Sequence, residues 1–337
     1  MNNITRRDFL DKGAVSLLKL SLGLYLADAA FPWPAHAKED QSIFDNFPIP
    51  EITSASEHYL QQIDLKPAVS ARKWRLAITG EVKKPLELAY YDFNKIERFS
   101  ILNTLKCIGD PVGGKQAGHA RWEGVRLRTL LRMAKIRSTA KDIVFHAVDG
   151  YSDSIPAARA LGGEVLLAIN MNGKRITKGH GFPIRAIVPN IYGMKNVKWI
   201  DRIEVTSYDY QGYWQKQGWS ETAEIKTFST ILKAGISGAK SPALIAGVAY
   251  AGSRGISAVQ ISVEDGPWEN VILKPAMSKY SWNLWAYKLE SRAGSDVTVK
   301  IRAVERNGDV QQKGGWLARA YPDGVDGYHT IRVTDDI

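Results

Sequence analysis

The sequence is poor in sulfur and short of acid. Its 337 residues include one cysteine and five methionines. A single cysteine excludes a disulfide framework, a covalently attached c-type haem, a cysteine-rich zinc site and a cysteine-held iron–sulfur cluster. Asp and Glu number 35 against 45 Lys and Arg, a formal charge of +10. That excess suits nucleic acid, an anionic surface, or acidic ligands and partners. The six histidines show no pair at metal-ligand spacing, and neither H-E-x-x-H nor G-x-S-x-G occurs. With 45% hydrophobic and 24% charged residues, the chain is not a disordered tail, a collagen-like fibre or a multi-span membrane protein. Tryptophan is abundant instead, ten in all, which points to β-rich packing or a cofactor-bearing interior.

The N-terminus reads as an address. Thr5-Arg6-Arg7-Asp8-Phe9-Leu10 is followed by an apolar run from Ala14 to Ala30 and by Ala35-His36-Ala37. A basic segment, an apolar segment and an A-x-A-like cleavage site in that order make a signal peptide over residues 1–37. The paired arginines resemble the twin-arginine export signal. Lys19 and Asp28 interrupt the apolar run and make it a poor membrane span, so retention as an anchor is the lesser expectation. The expected compartment is the periplasm. The twin-arginine route carries folded proteins, often with cofactor inserted. Removing residues 1–37, with four Lys/Arg and three Asp/Glu, leaves +9. Export and the lack of a Lys/Arg block with interleaved aromatics argue against nucleic acid.

The rest divides in two. Residues 38–235 read as mixed α+β. Pro48, Pro50 and Pro67 mark an extended entry segment, and Trp74 to Gly80 alternates as a strand. Leu88 to Phe99 reads as a short helix. Leu127, Leu130, Leu131 and Ala134 repeat at helical spacing with arginines opposite. Ala234 to Pro242 is small and polar, a linker. Residues 236–337 are short strands with Asp265-Gly266 and Asn307-Gly308 as hairpin signals, which predicts a β-sandwich of immunoglobulin architecture.

Gly109 to Gln116 matches G-x-x-x-x-G-K, but Gln116 stands where the Mg²⁺-binding Ser/Thr belongs and no long amphipathic helix follows. Cys107 ends an apolar strand-like run and enters a glycine-rich loop. It is either a buried structural thiol or a thiolate ligand or nucleophile, with Lys106 and Lys115 placed to lower its pKa. His180 and Arg185 stand beside glycines, and Lys195 and Lys198 flank a further turn. Cations and free backbone N–H groups in loops form a phosphate grip.

Taken together the segments resemble the sulfite oxidase family of molybdopterin enzymes. The matching stretches, in order, are Thr104-Leu105-Lys106-Cys107-Ile108, Val112-Gly113-Gly114, Ala120 to Leu127, Asp149 to Pro156, Leu167 to Gly173, His180 to Arg185, and Tyr192 to Ile200. The resemblance covers roughly residues 72–310 and implies the fold: a sulfite-oxidase-type molybdopterin domain, then an immunoglobulin-like domain through which the family dimerises. It implies one molybdenum held by one pterin dithiolene, with Cys107 as the protein's thiolate ligand. His180, Arg185, Lys198 and Lys195 match positions that hold the pterin and its phosphate. Tyr151 matches the active-site tyrosine, and Arg254 resembles an arginine that the second domain lends to the anion pocket. The implied reaction is oxygen-atom transfer to a small anionic substrate such as sulfite. Electrons would leave to an external cytochrome or membrane haem subunit. Two other readings are a sulfoxide-type reductase, whose family members generally lack the sandwich, and an exported β-sandwich binding protein without cofactor.

The chain departs from the family pattern near the anion pocket. Sulfite oxidases carry an arginine shortly after the cysteine, whereas Ile108-Gly109-Asp110-Pro111-Val112 follows here. An upstream Arg-Asn-His segment is replaced by His58-Tyr59-Leu60-Gln61-Gln62. The residues available to substitute for the missing arginines are His58, His119 and Arg121.

Overall fold

The computed structural model describes residues 41–45, 47–64, 67–235, 243–289, 296–315 and 319–333. The expected signal peptide and residues 236–242 of the expected linker lie outside the described residues.

The molecule is mostly sheet. In the first, mixed sheet, β1 (Arg75–Gly80) lies between β2 (Leu86–Ala89) and a parallel neighbour, β10 (Ile200–Thr206); β5 (Asp142–Ala147) and β6 (Ser152–Pro156) extend it. The second sheet is antiparallel: β3 (Phe99–Lys106), β4 (Ala117–Arg126), β7 (Leu166–Met171) and β8 (Lys174–Arg175), with β9 (Arg185–Ile187) also on β7. Gly124 lets β4 and β7 approach, since a Cβ there would lie 1.9 Å from the Leu167 carbonyl oxygen.

Two short helices interrupt the strands, α1 (Leu127–Met133) and α2 (Ala157–Leu161). Helix α1 buries Leu127, Leu130 and Leu131, as its apolar spacing requires. Residues Leu88 to Phe99 do not form the expected helix. They divide between β2 and a 3-10 turn, Tyr90–Lys95. Leu86 and Leu88 sit opposite Ile78 and Leu76 on β1, and the Asp92 carboxylate accepts the Ala89 N–H at 3.0 Å. Edge pairing plus a local cap prevails over weak helical propensity. The stretch resembling a phosphate loop runs into β4, not into a helix.

Two more four-stranded antiparallel sheets follow. One orders β11 (Phe228–Gly235), β12 (Ala243–Tyr250), β16 (Asn283–Leu289) and β15 (Ile272–Leu273). The other orders β14 (Glu269–Asn270), β13 (Ile256–Val263), β17 (Val297–Glu305) and β18 (His329–Val333). Strand β11 precedes residue 236 yet pairs with β12. Ile245 and Trp285 from one sheet share a buried cluster with Val259, Ile261, Val299 and Ile301 from the other. Each such side chain contributes about 1.5–3 kcal/mol when fully buried. Thr104 ties the halves together: its N–H reaches the Tyr280 carbonyl at 2.9 Å and its hydroxyl accepts the Trp282 N–H at 3.0 Å. No helix among the described residues is long and apolar enough to cross a membrane.

Candidate functional site

The C-terminal end of β3 delivers Cys107 to a cavity of about 330 Å³. Its backbone N–H donates to the Gln116 carbonyl at 2.9 Å, which closes the loop 107–116 at the start of β4. Gly109 keeps the space beside the sulfur open, for a Cβ there would lie 3.9 Å from Cys107 Sγ and 4.0 Å from the Trp219 ring. Burial pushes the thiol pKa up, and Asp110 adds to the rise against the Gly109 N–H and Lys106. The expected thiolate-stabilising pair is therefore corrected. Lys106 is buried in an ion pair with the Asp110 carboxylate, and Lys115 is exposed. Asp110 also accepts the Gln116 N–H at 3.0 Å, so its charge is turned into the loop.

Of the residues singled out from sequence, Cys107, Tyr151, His180, Arg185 and Lys198 all line this one cavity. Tyr151 follows the Asp149-Gly150 turn. Its hydroxyl donates to the Met194 carbonyl at 2.7 Å, with Asp153 Oδ2 at 3.2 Å as a second acceptor. Burial and then the Asp153 carboxylate hold its pKa well above the ordinary phenol value, so it is a protonated donor. His180 Nε2 lies 2.7 Å from the Ala55 carbonyl. The Arg185 guanidinium donates to the carbonyls of His180 and Asn196, both at 3.1 Å, and stacks over Trp122 at 4.9 Å. Lys198 Nζ donates to the Gly179 carbonyl at 3.2 Å.

Lys195 and Arg254 are placed elsewhere. Lys195 lies behind Tyr151, donating to Asp153 Oδ1 at 2.8 Å and the Ser154 carbonyl at 2.9 Å. Arg254 is not among the cavity residues. Its Nε meets both Glu305 carboxylate oxygens at 3.0 Å, and its Nη2 reaches the Ile225 carbonyl at 3.0 Å. Of the three suggested stand-ins for the missing arginines, only His58 lines the cavity. Burial and then the nearby Arg185 lower its pKa to about 3, so the ring is neutral. His119 is buried with Nδ1 2.6 Å from the Glu51 carbonyl, and Arg121 is exposed on β4.

Sequence reading missed part of the wall. Tyr59, Leu60 and Gln61 come from the segment taken as an extended entry, and Trp214 and Trp219 from the turns after β10. The aromatic density of Tyr208, Tyr210, Tyr213, Trp214 and Trp219 was the signal available. His58 Nε2 and Arg185 Nε are buried at the lining without a hydrogen-bond partner among the described residues. Buried polar atoms of that kind mark a place where a polar ligand completes the bonding.

Comparison with known proteins gives this arrangement a lineage. A family profile described as the oxidoreductase molybdopterin binding domain matches residues 63–214. The mitochondrial sulfite oxidase of Rattus norvegicus is 27% identical over 296 residues, 73% of this chain and 54% of that protein. The Homo sapiens enzyme is 26% identical over 344 residues, 85% of this chain and 63% of its own length. This chain thus spans little more than half the length of these mammalian relatives. The uncharacterized oxidoreductase YuiH of Bacillus subtilis (strain 168) is 30% identical over 147 residues, 44% of this chain and 72% of YuiH. The crystal structure of the sulfane dehydrogenase SoxCD from Paracoccus pantotrophus superposes with a TM-score of 0.76. It is 20% identical and covers 92% of this chain and 96% of that one, a likeness of fold. The chain belongs to the sulfite oxidase family of molybdopterin-dependent oxidoreductases.

Proposed function

We propose that the chain is a periplasmic Mo–molybdopterin enzyme that transfers oxygen to a small oxyanion such as sulfite and passes electrons singly to an external cytochrome or membrane haem subunit. The observation that carries this reading is the convergence of Cys107 with His180, Arg185 and Lys198 on one cavity. The residues present fit the cofactor. The sulfur faces open space at Gly109, and His58 Nε2 and Arg185 Nε are orphaned polar atoms at the wall. A metal-binding thiol need not be acidic beforehand, because ligation itself deprotonates it.

In this reading Cys107 ligates molybdenum. His180, Arg185 and Lys198 hold the polar edges and phosphate of the pterin, with His58 as a neutral partner. When bound, the cofactor supplies oxygen-atom transfer and two-electron redox chemistry. Tyr151 presents a fixed, protonated hydroxyl beside the sulfur, able to donate to a developing negative oxygen. Lys195 acts through Asp153, whose carboxylate orients the tyrosine. The second-half sheets form the immunoglobulin-type sandwich, starting from the pairing of β11 with β12, and serve dimerisation. The positive charge of the chain favours an acidic electron carrier.

The test is elemental and spectroscopic. Protein matured with ample molybdate should hold stoichiometric molybdenum, and Cys107→Ser should lose the thiolate-to-metal absorption together with turnover. A preparation without stoichiometric metal, or a Cys107→Ser variant with full turnover, overturns the reading.

A further inference from the structure

The cations near the sulfur are already committed. Lys106 is paired with Asp110, Lys195 with Asp153, and Arg254 with Glu305. Arg185 spends its two terminal nitrogens on carbonyls. The carboxylates are not all neutralised in the same way. Asp149 lines the cavity, and the Tyr151 N–H at 3.1 Å is its hydrogen-bond donor. The charges acting most strongly on the Tyr151 hydroxyl are those of Asp153 and Asp149. A small dianion placed beside Cys107 therefore meets no cation free to pair with it and at least one facing carboxylate.

The same end of the cavity is aromatic. Trp219 shares the space over Gly109 with the sulfur and packs edge-on against Trp214 at 6.1 Å. Both rings are half-buried, so each keeps surface open to the cavity. Leu60 and Ile63 extend the apolar wall, and Leu60 is 44% exposed. An exposed leucine beside two half-buried indoles is uncovered apolar surface at a concave site, the usual seat of a ligand's apolar body.

We infer that this cavity takes an organic sulfinate, a singly charged sulfur acid with an apolar or aromatic body, in preference to the sulfite dianion. The inference rests on the oxygen-transfer reading given above and deepens it. Three demands select the class: a sulfur lone pair to accept oxygen, no second charge to pair, and a body for the tryptophans. The balanced reaction takes RSO₂⁻ and H₂O to RSO₃⁻, two protons and two electrons. One S–O bond forms, both O–H bonds of water break, sulfur is oxidised by two electrons, and two equivalents of a one-electron acceptor are reduced. The chain's overall positive charge draws anions toward the protein, while the local balance at the sulfur discriminates against the second charge.

The experiment uses the Mo-loaded enzyme, with molybdenum and pterin quantified first. An empty preparation then indicts the family chemistry and not the selectivity. Isothermal titration compares two product-type probes, benzenesulfonate and sulfate. Benzenesulfonate should bind roughly tenfold tighter or better, as expected for ring stacking that sulfate cannot make. Trp219→Leu should weaken benzenesulfonate roughly three- to tenfold and leave sulfate binding and metal content unchanged. Asp149→Asn, which keeps the acceptor for the Tyr151 N–H, should strengthen sulfate more than benzenesulfonate. With ferricyanide as acceptor, kcat/KM should favour benzenesulfinate over sulfite. Sulfate binding equal to or tighter than benzenesulfonate in a fully loaded enzyme overturns the inference, and so does a Trp219→Leu variant with an unchanged preference.

Discussion

Replacing Lys195 with methionine separates a structural duty from a direct one toward the cofactor. The Lys195 and Asp153 side chains are 6% and 0% exposed, and they form a direct ion pair at 2.8 Å. Asp153 also accepts from the Ser154 N–H at 2.8 Å, the Tyr151 hydroxyl at 3.2 Å and Gln215 Nε2 at 3.3 Å. Methionine fills much of the lysine volume but leaves the carboxylate without its counter-charge. Removing one partner of a buried pair costs about 3–5 kcal/mol. Over a unit of this size that is a fall in Tm of roughly 10 °C. Burial already raises the Asp153 pKa against the pull of Lys195, so without the lysine the carboxyl escapes by taking up a proton. The folded variant then binds a proton that the unfolded chain, with an ordinary carboxyl, does not. Its stability should therefore fall as pH rises above the ordinary carboxylate range, by up to about 1.4 kcal/mol per pH unit. Urea denaturation of cofactor-free wild type and variant between pH 5 and 8 measures both effects. Adding Asp153→Asn should recover a large part of the loss, because neither charge then remains buried. A Lys195→Met cost under about 1 kcal/mol, the range of an exposed pair, refutes the reasoning, as does failure of the double variant to recover.

Three more outcomes follow from the same coordinates. His58 is neutral when folded, with a pKa lowered to about 3 from 6.5, so the unfolded chain alone takes up its proton between those values. Stability should fall as pH drops below 6.5, by up to about 1.4 kcal/mol per unit, and His58→Gln should flatten that slope by one proton; an unchanged slope refutes the assignment. Gly193→Ala would place a Cβ 2.6 Å from Tyr59 Oη and 3.5 Å from the Lys106 carbonyl oxygen. It should cost about 1–3 kcal/mol and reduce pterin content, and wild-type melting with full pterin would contradict the close approach. Arg254→Ala strips Glu305 of its guanidinium partner and should lower stability by about 1–3 kcal/mol in urea titration. Loss of substrate affinity without loss of stability would instead place that guanidinium in the anion pocket.

What sequence could and could not show divides along the range of the interactions. The helix α1 was legible because Leu127, Leu130 and Leu131 repeat at 3.6 residues and nothing distant competes with that stripe. The strands of the second half were legible because their turns are marked by Asp-Gly and Asn-Gly. Strand β2 was not, since Leu86 and Leu88 gain their meaning only from Ile78 and Leu76 across the sheet edge. At the site, Cys107 and the His180–Arg185 loop stood out as residue types in unusual local settings, and family order joined them. The charge state of the cavity did not stand out, because it depends on who pairs with whom. Lys106 and Asp110 are four residues apart and look like one cation and one hazard, yet they cancel. Lys195 looks like a pterin-binding lysine until Asp153, forty-two positions away, takes it. Counting basic residues thus overstates what an anion meets beside the sulfur. An excess of ten positive charges over the whole chain coexists with a catalytic pocket in which the cations nearest the cysteine are paired and the open walls are tryptophan. Long-range attraction and local selection are set by different residues, so a substrate is read from the pairing pattern and not from the total.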